Sequence, residues 1–177
     1  MILIGIISKT RVPNKHHNLQ YSNFLALYKY KAMKNQILIA VDLSESSDLV
    51  IKKGMELAIK MEASVILSSV VPMYVDYLQS QMSMVPTPWD EIYIAQKEAA
   101  IKELTLVQKK YPNTPIEIFV EVGNAKDVVI EKAIMDKVDY IVVGTHGRTG
   151  FSHVVMGSTA EYIVRHATMP VMVVPMK

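Results

Sequence analysis

The sequence predicts an α/β fold: a doubly wound, five-stranded parallel sheet with helices on both faces. Three observations predict it. From Ile37 onward, short apolar runs alternate with helical stripes in the order β-α-β-α-β-α-β-α-β. The first run, Ile37-Leu-Ile-Ala-Val41, is apolar throughout, as is a strand buried on both faces. A glycine-punctuated loop follows the fourth run and leads into a helical pattern, a placement where such sheets bind ligands. Strands joined by helical crossovers run parallel, and right-handed crossovers put helices on both faces.

The elements follow in order. The first strand ends at Asp42. Ser44, Ser46 and Asp48 supply capping chemistry for a helix to about Met61, with Val50, Gly54, Leu57, Ala58 and Met61 as its apolar stripe. Ser64 to Val71 is the second strand, stopped by Pro72. Residues 73–90 hold Pro86, Pro88, Trp89 and a crowd of Met and Tyr. A connection of that length is functional or mobile, and its Met-rich part reads as a flexible cover or contact surface.

A helix from about Glu91 to Lys110 places Ala100, Leu104, Val107 and Tyr111 on one face, and Pro112 to Pro115 forms a turn. Ile116, Ile118, Val120 and Val122 alternate with other residues, as in a strand nearer the sheet edge. Gly123-Asn124 opens a helix to about Lys137. Tyr140-Ile-Val-Val143 is the fourth strand. A helix from Ser158 and a last strand, Val171 to Val174 behind Pro170, complete the pattern.

The loop between the fourth strand and its helix carries the functional signal. Its spacing, Gly144-x2-Gly147-x9-Gly157-Ser158, is neither the dinucleotide fingerprint nor a P-loop, and it holds no lysine. Backbone N–H groups at a helix start lack partners, and the helix dipole favours negative charge, so the loop is a candidate phosphate cradle. Ser158-Thr-Ala-Glu161 reads as a capping box, with Ser158 at the N-cap and Glu161 at N3. Asp42, at the end of the first strand, is equally suited to capping the next helix or to accepting ribose hydroxyls. His146 and Arg148 lie in the loop within reach of phosphate oxygens or of solvent. His146, His153 and His166 are seven and thirteen positions apart, which fits no compact zinc pattern, so no protein-held metal is expected.

Composition bounds the rest. The chain has 177 residues, room for one domain with a substantial core. It has no cysteine, which excludes disulfides, thiol catalysis and cysteine-ligated zinc. No apolar run approaches the ~20 residues of a membrane span, and Met1 to Ile7 lacks the flanks of a signal peptide. Six of the 19 basic residues and none of the 17 acidic ones lie in residues 1–36. Residues 1–34 are therefore expected to be a poorly structured or dispensable extension, with the functional chain starting near Met33. The competing reading is a basic tail that touches membrane or RNA. Residues 35–177 form the domain; it is mildly acidic and gives no argument for nucleic-acid binding.

Four segments together resemble the universal stress protein family. They are Ile37 to Asp42, Val142-Val-Gly-Thr-His-Gly-Arg-Thr-Gly150, Gly157-Ser-Thr-Ala-Glu-Tyr-Ile-Val-Arg-His166 and Pro170-Val-Met-Val-Val174. The resemblance covers about residues 35–177. It implies a Rossmann-like fold of the adenine nucleotide alpha hydrolase type, and the retained glycines place the chain with the ATP-binding members. It further implies that Asp42 meets the ribose and that Val41, Val70 and Val71 line the adenine. Gly144, Gly147, Gly157, Ser158 and Thr159 would present N–H and hydroxyl groups to the phosphates, with Mg²⁺ arriving on ATP. A cytoplasmic homodimer paired through Val171–Val174 is implied as well.

The expected function is that of an ATP-binding stress-response regulator, a dimeric nucleotide-dependent module with no partner in nucleic acid or membrane. The alternatives are a slow ATPase or phosphotransferase using the same crevice, and a nucleotide-free dimeric interaction module. The loop lacks a P-loop lysine and an acid–base pair, so the chain is expected not to be an enzyme beyond weak hydrolysis.

Overall fold

The computed structural model describes residues 35–73, 89–145 and 156–175. Contacts between Cα atoms separate residues 1–33 from residues 34–177, and the described residues belong to the second unit. The proposed extension, the Met-rich connection 74–88 and loop residues 146–155 lie outside the described residues.

The elements alternate along the chain: β1 (Gln36–Val41), α1 (Ser47–Lys60), β2 (Ser64–Pro72), α2 (Trp89–Lys110), β3 (Ile116–Gly123), α3 (Ala125–Met135), β4 (Tyr140–Gly144), α4 (Ser158–His166) and β5 (Val171–Val174). The strands form one sheet in the order β3-β2-β1-β4-β5, and every neighbouring pair is parallel. This is the predicted doubly wound, five-stranded parallel sheet. Among the described residues no helix is long and apolar enough to cross a membrane.

The burial pattern explains the apolar runs. Residues of α1 and α2 pack with Ile37, Ile39 and Leu67, while α3 and α4 pack with Leu38, Ile66 and Ile141. Successive strand residues face opposite sides, so β1 needs apolar side chains at odd and even positions alike; Ile37, Leu38 and Ile39 are all fully buried. β3, at the edge, buries only Val120 among its eight residues, in keeping with its alternating sequence. The buried face of α1 is Val50, Ile51, Gly54, Met55 and Ala58, whereas Leu57 and Met61 stand at its margin. Val50, Gly54 and Ala58 belong to the predicted stripe, Ile51 and Met55 extend it on the other side, and Gly54 lies directly against Ile39.

α1 and α3 end in the same way. After the C-caps Met61 and Asp136, Glu62 (φ 50°) and Lys137 (φ 54°) occupy the left-handed backbone region. The Ala63 N–H then donates to the Ala58 carbonyl (2.9 Å) and the Val138 N–H to the Ala133 carbonyl (3.0 Å), closing a Schellman motif in each case. A side chain at such a position costs about 1–2 kcal/mol relative to glycine. Allowing for glycine's greater freedom when unfolded, Glu62→Gly and Lys137→Gly should each stabilise the protein by about 0.5–1 kcal/mol. Urea unfolding checks this: both midpoints should rise at constant slope, and unchanged midpoints would mean that side-chain contacts offset the backbone cost.

α3 is pinned to the sheet by Lys132. Its Nζ lies 2.9 Å from Glu117 on β3 and 2.8 Å from Asp136, and 4.7 Å from the centre of the Phe119 ring. Burial alone would push the Lys132 pKa down; hydrogen bonds and charge from the two carboxylates outweigh it and hold the pKa raised. The last turn of α3 is thereby held against the amino end of β3.

Candidate functional site

The strand order reverses between β1 and β4, so their carboxyl ends flank the switch point. A cavity of about 400 Å³ opens there, within the size range of small-molecule sites. Its hollowness has a sequence cause. Ala40 and Ser68 are paired in the β1–β2 register, Ala125 begins α3 and Ala160 lies in the first turn of α4, and Gly144 and Gly157 stand at the loop ends. Each contributes little or no side chain where the sheet and helices diverge. Val70 and Val143 add apolar wall.

Asp42 lines the same cavity, and its carboxylate is held in place locally. Its Oδ1 accepts from the Ser44 N–H (3.1 Å), the Ser44 hydroxyl (2.7 Å) and the Ser47 hydroxyl (3.1 Å). The N-cap residue Ser46 makes no side-chain cap, so Asp42 organises the first turn of α1 from four residues upstream. The intervening Leu43 takes φ 59°, an unfavourable conformation for a branched side chain and a local strain beside the cavity.

Three helices begin at this cavity. Ser46 and Ser47 at the start of α1, Ala125 of α3, and Gly157 to Ala160 of α4 all line it. Asn124 caps α3 by accepting from the Lys126 N–H through its side-chain oxygen at 3.1 Å. The start of α4 is tied to the sheet: the Gly157 N–H donates to the Thr145 carbonyl (2.7 Å), and the Thr145 N–H donates to the Val174 carbonyl (2.9 Å). The first helical bond of α4 runs from the Glu161 N–H to the Gly157 carbonyl. The N–H groups of Ser158, Thr159 and Ala160 precede that ladder, which makes this end suited to an anion.

The predicted capping box at Ser158 is not formed. Gly157, in extended backbone (φ −60°, ψ 148°), is the N-cap, and no side chain caps the helix. The helix frame starts one residue earlier than the motif requires, so Ser158 is the first helical residue, exposed, and Glu161 falls at N4 rather than N3.

Of the sequence-predicted site residues, Val41, Asp42, Val70, Gly144, Gly157, Ser158 and Thr159 come together in the cavity lining. Val71 does not. As the neighbour of Val70 in a strand it faces the opposite side, where it is buried in the core shared with α1 and α2 and borders a separate recess with Leu43. His146, Gly147 and Arg148 lie outside the described residues. Sequence reasoning missed Ala40, Ser47, Ser68, Ala125 and Ala160. One signal was available: Ser68-Ser69 interrupts the apolar run of the second strand, which is costly in a doubly covered sheet.

Comparison with known proteins agrees with this fold. A universal stress protein MJ0531 of Methanocaldococcus jannaschii is 30% identical over 145 residues, covering 78% of this chain and 81% of that protein. The solved structure of protein MJ0577 of the same organism superposes with a TM-score of 0.67 at 22% identity, covering 82% of this chain and 99% of that one. The structure of the universal stress protein from Archaeoglobus fulgidus in complex with dAMP superposes with a TM-score of 0.55 at 20% identity, covering 80% of this chain and 98% of that one. The sequence profile of the universal stress protein family matches residues 33–175, and the chain belongs to that family.

Proposed function

We propose that this chain is a cytoplasmic regulatory module that binds ATP at the β1–β4 switch point and acts as a homodimer in the stress response. One observation carries the reading: a positioned carboxylate, Asp42, and the starts of α1, α3 and α4 surround a single cavity with apolar walls. A nucleotide has the matching parts. Its base suits the wall of Val70 and Val143, its sugar hydroxyls suit Asp42, and its phosphates suit the N–H groups at the start of α4. The dAMP complex of the Archaeoglobus fulgidus relative supports adenine nucleotides as the ligand class.

Mg²⁺ fits this arrangement only as a passenger. The described lining offers hard oxygen donors in Asp42, Ser158 and Thr159, but a helix start repels a cation, so the phosphates and water would hold the ion. Asp42 is a positioning group, since three donors already converge on its Oδ1. We therefore read the site as one that holds nucleotide, with hydrolysis slow at most. For the dimer, β5 is an outermost strand of four residues, and its apolar sequence suits pairing with a second copy across a two-fold axis.

Equilibrium dialysis with ATP, ADP and AMP tests the proposal, with turnover and sedimentation measured on the same sample. ATP should bind well below about 1 mM, turnover should stay far under the enzyme median of about 10 per second, and the mass should be that of a dimer. Asp42→Ala should weaken ATP about tenfold and lower stability by about 1–3 kcal/mol through the loss of its hydrogen bonds to Ser44 and Ser47. Absence of ATP binding would refute the nucleotide reading, and turnover near the enzyme median would move the site to the phosphotransferase class.

A further inference from the structure

Ser68 stands in the middle of β2, fully buried, and its hydroxyl has no hydrogen-bond partner. The residues of β2 that share its face, Ile66 and Val70, are apolar. Ile66, two residues earlier on the same face, is fully buried in the core under α3 and α4, and Val70, two residues later, lines the cavity. Ala40 is its register partner on β1, and Ser68 itself lies in the cavity lining. A hydroxyl stripped of water with nothing to bond is less stable there than a methyl group of the same reach. Alanine would fill the position without that cost. The fold does not need the oxygen; the cavity supplies the place where it can act.

We infer that Ser68 is the base-recognition residue of this site: its hydroxyl hydrogen-bonds a polar atom on the edge of the bound nucleobase. This rests on the nucleotide reading above and deepens it. The placement favours the base over the sugar or phosphates. Asp42 and the start of α4 lie at the strand ends, while Ser68 is four residues inside the end of β2, beneath Val70. A flat heterocycle whose sugar and phosphates engage those outer groups presents its far edge to the inner end of the cavity. A hydroxyl both donates and accepts, so it can serve a ring nitrogen or an exocyclic amine.

The test compares wild type with Ser68→Ala by calorimetry, using ATP, its 1-, 3- and 7-deaza analogues, and the analogue lacking the 6-amino group. Each analogue removes one polar atom from the base and keeps the sugar and phosphates. In wild type one analogue should bind about tenfold more weakly than ATP; Ser68→Ala should lose about the same factor for ATP and show no further loss with that analogue. Without ligand, Ser68→Ala should melt at the wild-type temperature or above it. Equal ATP affinity in both proteins, or a lower melting temperature for unliganded Ser68→Ala, would overturn the assignment while leaving the nucleotide site standing. Failure of wild type to bind ATP or any analogue would sink both.

Discussion

Gly157→Val should weaken ATP binding about a hundredfold while the domain remains folded. Gly157 is the N-cap of α4, lines the cavity, and stands immediately before the N–H groups of Ser158 and Thr159. Those groups bind an anion only if its oxygens approach the backbone closely, and a branched side chain at the helix entrance obstructs that approach. Losing one or two charge-assisted hydrogen bonds, at about 1.5–3 kcal/mol each, gives the hundredfold estimate. The backbone at Gly157 is extended (φ −60°), which valine adopts without strain, so the structural cost is confined to a poorer N-cap of about 1 kcal/mol. Calorimetry and thermal melting on the same preparation separate the two effects. Retained affinity would show that the start of α4 is not where the phosphates bind.

Gly54→Val should produce the largest loss of stability, about 3 kcal/mol or more. A Cβ at Gly54 would stand 2.5 Å from Cδ1 and 2.8 Å from Cγ1 of Ile39. Ile39 is fully buried in the central strand β1, so its side chain has little room to turn away. Either α1 lifts from the sheet or Ile39 leaves its rotamer; overpacking of this kind costs about 1–3 kcal/mol, and valine's two γ carbons add to it. The improved helix propensity over glycine returns only a few tenths of a kcal/mol. Since Ser46 and Ser47 at the start of α1 line the cavity, a lifted helix should also weaken ligand binding. Shortening the opposing side chain, in Gly54→Val with Ile39→Ala, should recover part of the stability, which a double-mutant cycle from urea unfolding would measure. Additive losses would mean that the two positions do not compete for the same space.

The two glycines differ in how readable they are. Gly157 belongs to a loop pattern with an evident chemical purpose. Gly54 reads only as one member of the apolar stripe of α1, and its contact with Ile39 shows that the missing side chain is what lets α1 reach the sheet. The same contrast runs through the site. Asp42, Gly144 and Gly157 fall at strand ends or helix starts, and such positions can be located from periodicity alone. Val70 and Val71 are adjacent in the chain and look interchangeable, but pleating sends one to the cavity and the other to the core. Ser158 and Glu161 satisfy a capping pattern, yet the extended backbone of Gly157 takes the N-cap and shifts the frame by one residue.

By itself the sequence determined the class of fold, the order of the elements, the place of the glycine loop after the fourth strand and the family resemblance. These rest on local periodicity and on topological rules that leave little choice once strands and helices alternate. Tertiary structure alone decided which face each strand residue serves, which helix turn starts where, and that small residues from β1, β2, α3 and α4 meet to leave a hollow. It also revealed Ser68 as a buried hydroxyl without a partner. Those facts depend on the juxtaposition of residues far apart in the chain, and no local pattern records what a side chain will face across the sheet.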